Sequence, residues 1–320
     1  MWRPDAAALV LDQATLQDVD ALNRLFSDAF TDRYHRDGMT GVRVPHLSRA
    51  VWRYAIEDAG AGAMLWREAS GELAAFNMVH RSGEEGWMGP LAVRPTLQGR
   101  GIGERIVREG LEWLRVNGAT RIGLETMPRT IDNIGFYSRL GFLPGHLTIT
   151  MIRDAKGDDP AVAAGERLSE VDRETGLAEC LALTHRLAPG VDFTRELQLT
   201  AELDLGDTTL WRGPEGLQAF ALWHRIPLAL GRLEDETRVL KLVAADLASF
   251  RQLLAVVTSE AATRETTPHR VSVRCQSAYG EVFEALVGAG FEAHWTDLRM
   301  YHGPGPERTA RGIVLSNWEI

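Results

Sequence analysis

One stretch of the first half of the chain returns in the second. Residues 65–81 read LWREASGELAAFNMVHR and residues 210–225 read LWRGPEGLQAFALWHR, sharing Leu-Trp-Arg and Ala-Phe-x-x-x-His-Arg with one residue deleted at the turn. RIGLET at 121–126 meets RVSVRC at 270–275, and Gly141-Phe142 meets Gly290-Phe291, both at a constant offset of 149. The same offset sets Leu91-Ala92-Val93 on Leu240-Lys241-Leu242. Self-similarity on this scale means one structural unit used twice, and 320 residues give each copy enough chain to bury its own core. The expected organisation is a first lobe over 1–152, a linker over 153–164 and a second lobe over 165–320. Within the last, the repeat runs to 302, and the apolar tail of residues 312–320 docks as an extra strand.

Each unit reads as a mixed α/β fold. Thr15 with Asp18 three residues on is a capping signature, followed by Val19, Leu22, Phe26 and Phe30 on one helical stripe. A second helix follows Pro45. GAMLW and ELAAFNMVH flank Ser70-Gly71 as a hairpin, and WMGPLAV is a further strand. Ile102, Ile106, Leu111 and Leu114 recur at helical spacing until Asn117-Gly118 stops them. RIGLET is a strand, residues 132–140 a short helix closed by Gly141, and residues 142–152 a last β-rich run.

Bulk properties narrow the function. The chain is 45% hydrophobic and 25% charged, and its opening apolar run of six residues is too brief for a signal peptide or membrane span. Two cysteines, Cys180 and Cys275, have no metal or disulfide spacing, which points to a reducing, cytoplasmic setting and no metal, with Cys275 buried. Formal charge is −9, divided as 19 basic and 21 acidic residues over 1–160 against 16 and 23 over 161–320. With no basic face, neither nucleic acid nor an anionic membrane is an expected partner. A neutral or cationic substrate is more natural, and either a monomer or a homodimer is compatible with the composition.

The chemistry concentrates in LAVRPTLQGRGIGERIV, a strand, a Gly-rich turn and a helix. Successive backbone N–H groups and a helix N-terminus converge on an anion in such an arrangement. Gly99, Gly101 and Gly103 permit close approach to phosphate oxygens, and Arg100 adds a charge. A dinucleotide fingerprint fails, because its third glycine would fall on Glu104 or Ile106; a P-loop fails for want of Gly-Lys-Ser/Thr.

What the residues resemble is motif A of the GCN5-related N-acetyltransferases (GNAT), Gln98-Gly99-Arg100-Gly101-Ile102-Gly103 after the strand Leu91-Ala92-Val93. Their motif B, with Asn, Tyr and Leu-Gly-Phe in order, is matched by Asn133, Phe136, Tyr137, Leu140, Gly141 and Phe142. The resemblance covers roughly residues 15–152 and implies a tandem two-lobe acyltransferase fold. It implies that backbone groups of Leu91, Ala92 and Val93 pair with the pantetheine arm of acetyl-CoA and that Gln98 to Glu104 hold its pyrophosphate. Asn133, with Phe136 beside it, would contact the coenzyme, and Tyr137 would stand near its sulfur as general acid. The acceptor would be an amine of a small molecule or a peptide.

Many relatives carry a base on the strand before motif A, where this chain has Trp87-Met88-Gly89-Pro90. Glu125 is the best-placed carboxylate, with a structural pairing to an arginine as the alternative for the same residue. His80, Glu84 and Glu85 are weaker options, Glu84-Glu85 reading as a solvated turn and His80 being repeated as His224. Relay by water is also open. At the 149 offset, Gln98, Gly101 and Gly103 fall on Leu247, Phe250 and Gln252, and Tyr137 on Leu286, so the second lobe is expected to be a degenerate, non-catalytic copy whose side chains fill the phosphate space. A non-catalytic acyl-CoA binder, or a transferase for another acyl-CoA, are the alternatives. Trp52, Tyr54 and Trp87 are candidates for the cleft or for the core.

Overall fold

The computed structural model describes residues 9–155, 165–263, 269–303 and 311–318. Its first half runs β1 (Val10–Gln13), α1 (Val19–Arg36), α2 (Arg49–Ala59), β2 (Ala63–Arg67), β3 (Leu73–Ser82), β4 (Glu85–Val93), α3 (Ile102–Val116), β5 (Arg121–Thr126), α4 (Ile131–Arg139) and β6 (Phe142–Ala155). The second half repeats the series as β7 (Glu166–Arg167), α5 (Arg173–Leu187), α6 (Thr194–Glu202), β8 (Gly206–Gly213), β9 (Gly216–His224), β10 (Glu236–Ala244), α7 (Leu247–Ala262), β11 (His269–Gln276), α8 (Gly280–Gly288) and β12 (Glu292–His302). One strand is left over, β13 (Ile313–Ser316). The last strand of the first half continues three residues beyond Ile152, and the remainder of the expected linker, 156–164, lies outside the described residues, as do residues 319 and 320 of the tail.

Local sequence explains the elements. Thr15 and Asp18 close a capping box at the entry to α1, whose Val19, Leu22 and Phe26 are buried. Ser48 caps α2 by accepting from the Val51 N–H. Gly141 and Gly290, at φ of 91° and 84°, terminate α4 and α8 in the same left-handed turn, and the phenylalanine after each is buried.

Sheet order is β1-β2-β3-β4-β5-β12-β6-β11-β10-β9-β8-β7. If each strand of the second half is equated with its counterpart six places earlier, this order is a palindrome centred between β12 and β6. The two final strands have therefore changed places: β12 lies antiparallel to β5, and β6 lies antiparallel to β11. Registers obey the same symmetry. Glu125 faces Arg299 and Arg274 faces Thr150, and each residue of one pair is 149 positions from its counterpart in the other. Thr148, opposite Asp297, marks the centre.

Helices cover both faces. On one, α1, α2, α5 and α6 share a single core that includes Trp52, Tyr54, Phe76, Trp87, Phe193, Phe220 and Trp318. On the other, α3 with α4 and α7 with α8 cover two separate cores. Trp52, Tyr54 and Trp87 thus belong to the interior, at 0%, 4% and 3% exposure. Cys180 and Cys275 are both free and buried, and burial pushes each thiol up to about 12.

Candidate active site

The site begins where two parallel strands part. Residues 85–88 of β4 pair with 121–124 of β5, and the pairing stops at Met88–Leu124. A bulge follows between Asn77–Leu91 and Val79–Met88, so β4 turns away at Gly89-Pro90 and opens a V against β5. Beyond the bulge, Leu91, Ala92 and Val93 pair with β3, and among the described residues with no strand on the other side. Their other edge offers backbone donors and acceptors along the V.

The second lobe contains the same V, with a different fate. Residues 236–239 of β10 pair with β11, the register shifts between Val239 and Lys241, and residues 241–244 pair antiparallel with β13. The chain's own tail fills this slot. Pairing fixes the correspondence of β4 and β10 at an offset of 151, because Glu85–Arg121 matches Glu236–Arg270. The counterparts of Leu91-Ala92-Val93 are accordingly Leu242-Val243-Ala244, two residues on from the positions expected from a uniform 149.

The glycine loop also differs by deletion rather than by substitution. Residues 94–101 connect β4 to α3, whereas only Ala245 and Asp246 connect β10 to α7. Leu247, Phe250 and Gln252 therefore lie within α7, and Phe250 is buried in its own lobe's core instead of filling a phosphate space. The ends of the two helices are opposites. Asp246 accepts from the Ser249 N–H and caps α7, while α3 has Gly101 as N-cap, with no side-chain cap bond. Its first-turn amides keep their positive end for an external anion. Gly99 and Gly101 stand at φ of 75° and 83°, and a Cβ on either would have nothing within 4 Å, so the loop surface is open.

Other predicted residues gather around this loop. Gln98 donates from Nε2 to the Val93 carbonyl at 3.0 Å and so ties the loop to β4. Arg100 donates to the Thr96 carbonyl at 3.2 Å, and Glu104 pairs with Arg108 at 2.9 Å, which leaves its backbone rather than its carboxylate for the loop. At Gly103 a Cβ would meet the Phe136 ring at 3.3 Å, so α3 and α4 approach here and the two sequence motifs come together. Asn133 reaches Thr126, the last residue of β5, at 3.4 Å. The buried Tyr137 packs its ring against Phe136 and Phe142. Burial raises the Tyr137 hydroxyl far above the ordinary tyrosine range, so it stays protonated. The α4 entry is held from α1: Arg33 pairs with Asp132 at 3.1 Å and Thr130 donates to Asp37 at 2.7 Å.

Glu125 is placed for another task. It is buried, accepts from Thr148, and pairs with Arg274 at 2.8 Å and Arg299 at 2.7 Å. Desolvation pushes its carboxyl up, but the two guanidinium groups outweigh it and hold the group below the usual carboxylate range. A carboxylate so committed is a poor proton acceptor, and the geometry favours the structural reading of Glu125. His80 bonds Asp58 at 2.6 Å and stacks on Trp87, while His224 shares a hydrogen bond with Thr200; both are buried structural histidines. Glu85 is no solvated turn residue: it is buried and accepts from Ser316 of the tail, and Glu84 accepts from Thr120.

The tail pairs with β10 as β13, and what the sequence leaves hidden is the path of the residues after that strand. After β13, Trp318 crosses to the first lobe and lies over Gly123 at the apex of the open V, which only a tertiary contact between halves reveals.

Two lobes in one sheet, one V open beside an uncapped glycine loop and the other closed, define a tandem acyltransferase-type fold. Residues 19–142 match the model of the Acetyltransferase (GNAT) family. Glucosamine 6-phosphate N-acetyltransferase 1 of Oryza sativa subsp. japonica is 31% identical over 119 residues, covering 37% of this chain and 65% of that protein. The chain thus spans less than two-thirds of the length of the curated relative it matches. Among solved structures, a GCN5-related N-acetyltransferase from Sphaerobacter thermophilus superposes with a TM-score of 0.60 at 17% identity, covering 99% of this chain and 100% of that one. A tandem GNAT protein from the clavulanic acid biosynthesis pathway gives 0.61 at 14%, covering 93% and 99%. N-myristoyltransferase of Saccharomyces cerevisiae gives 0.62 at 9%, covering 93% and 79%. These likenesses place the whole chain in the tandem GNAT fold. Among the described residues, no helix is long and apolar enough to cross a membrane, and no group of three or more His, Cys, Asp or Glu could hold a metal ion.

Proposed function

We propose that the first lobe, residues 1–152, transfers an acetyl group from acetyl-CoA to an amine of a small molecule or peptide, and that the second, residues 165–320, is non-catalytic and supports it. The observation that carries this reading is the contrast between the two Vs: the β10 edge holds a strand of the chain itself, and the equivalent β4 edge at Leu91–Val93 is open beside the uncapped α3. The filled V supports the view that such an edge takes an extended, hydrogen-bonding partner, as the amides of a pantetheine arm are. Gln98 to Glu104 would then face the pyrophosphate, chiefly through backbone N–H groups.

Acetyl-CoA supplies a thioester whose carbonyl carbon accepts the amine. The C–N bond forms as the C–S bond breaks, β4 backbone N–H groups hold the developing oxyanion, and the Tyr137 hydroxyl gives its proton to the departing thiolate. The proton lost by the amine passes to water, since Glu125 is engaged with two arginines. Similarity to a glucosamine 6-phosphate N-acetyltransferase makes amino-sugar phosphates the first acceptors to try, alongside simple amines and peptides.

Tyr137→Phe is expected to lower kcat by roughly 10²-fold or more with acetyl-CoA affinity nearly unchanged, measured by thiol release and by calorimetric titration. Unchanged turnover would remove Tyr137 from the acid role. Binding of acetyl-CoA without thiol release across the whole acceptor panel would favour the second reading, an acyl-CoA-binding protein, to which the absence of a free carboxylate on β4 beside the bulge lends support.

A further inference from the structure

The apex of the open V is walled by a residue from the far end of the chain. Strand β13 is anchored in the V of the second lobe, where the Lys241 ammonium donates to Ser316 Oγ at 3.1 Å and to the Asn317 carbonyl at 2.8 Å. Ser316 in turn donates to Glu85 of β4 at 3.0 Å. Two residues on, Trp318 arrives over the first lobe's V. A Cβ on Gly123 would stand 2.4 Å from its indole ring, so a glycine at 123 is what lets the indole lie on β5. Across the apex, the Trp318 carbonyl is 3.8 Å from where a Gly89 Cβ would be. The Arg299 guanidinium stacks 3.9 Å from the indole, and the Tyr301 ring meets it edge-on at 5.5 Å. These neighbours fix its position, and it is 2% exposed. The indole N–H is buried without an acceptor among the described residues, which is costly unless a bound molecule supplies one.

On the coenzyme reading, an acyl thioester paired along the free edge of Leu91–Val93 would have Gly89 and the apex of the V as the next space for its acyl chain. We propose that Trp318 sets the acyl-length limit of the first lobe, stopping the chain at two carbons, and that the second lobe is retained in part because it holds the tail in this position. This inference rests on the coenzyme reading given above. It makes Trp318 a specificity-determining residue supplied by the lobe that has lost its own slot.

The test is a calorimetric ladder of CoA, acetyl-, propionyl-, butyryl- and hexanoyl-CoA against the full chain, with Trp318→Ala and Trp318→Leu, folding being checked by circular dichroism. Wild type should bind butyryl-CoA at least about 10-fold more weakly than acetyl-CoA, and the Ala variant should reduce that ratio to about 3-fold or less while its affinity for CoA itself is kept. The Leu variant should fall between. A wild-type ladder flat from acetyl to hexanoyl overturns the proposal, whether or not the variants fold. So does a steep ladder unchanged in a folded variant. Failure of wild type to bind CoA at all overturns the coenzyme reading and this inference with it; binding of CoA with a flat ladder overturns the inference alone.

Discussion

Glu125 and Arg274 occupy the same place in the two repeats and meet across the centre of the sheet, 149 residues apart. Thr148 and Asp297, and Thr150 and Arg299, are likewise repeat counterparts, and all six lie in one cluster. The pairing is buried, so deleting one partner strands charge. Glu125→Ala leaves two guanidinium groups without their shared carboxylate and should cost about 3–5 kcal/mol in urea unfolding, whereas a cost under about 1 kcal/mol would mean that water reaches the cluster. Glu196 gives the opposite electrostatics. Burial and the nearby Asp58 push it up to about 8, against the weaker pull of Lys241 and of the Ser82 hydroxyl. Its folded value lies above its unfolded value, so the stability it contributes is complete below the unfolded value near 4.5 and is lost as pH rises through about 8. Glu196→Gln keeps an acceptor for Ser82 and should melt progressively higher than wild type as pH is raised from 5 to 9. Melting profiles that stay parallel over that range would show Glu196 to be ionised throughout.

At the scale of elements, what separates the lobes is a loop and a cap. Gly101 has a φ of 83° and a clear space where a side chain would go, so Gly101→Val strains the backbone and places a branched side chain on the surface proposed for the pyrophosphate. Acetyl-CoA should bind wild type at one molecule per chain and this variant not at all; residual one-to-one binding would mean that the second lobe has a slot after all. The sequence made most of this legible. Glycine spacing, helical periodicity and the Leu-Trp-Arg and Ala-Phe repeats are local signals, and they located the loop, α3, α4 and the duplication. A uniform offset failed at β10 because the repeats differ by short insertions and deletions, a drift that only the strand register exposes. Glu125 was ambiguous for a physical reason: a carboxylate on a strand looks the same in sequence whether it faces a substrate or two arginines from the other half of the chain.

On the scale of the whole molecule, the exchange of β6 and β12 makes each lobe incomplete. Without β12, β5 has a bare edge, and without β6 so does β11. Two copies of the first half could pair with each other through β6, but then Glu125 would face a threonine in place of Arg299, and two buried carboxylates would lie near the axis without arginines. Two copies of the second half would bring Arg274 and Arg299 of both together with only Asp297 to answer them. The unlike pair is the one in which charge cancels, so the duplicated sequence has diverged to favour pairing of its two different halves over self-pairing. Residues 1–155 and 165–320, produced separately and mixed, should therefore associate one-to-one in native mass spectrometry in preference to either homodimer. Equal amounts of the three species would show that strand exchange alone drives the assembly and that the charge cluster has no part in choosing the partner.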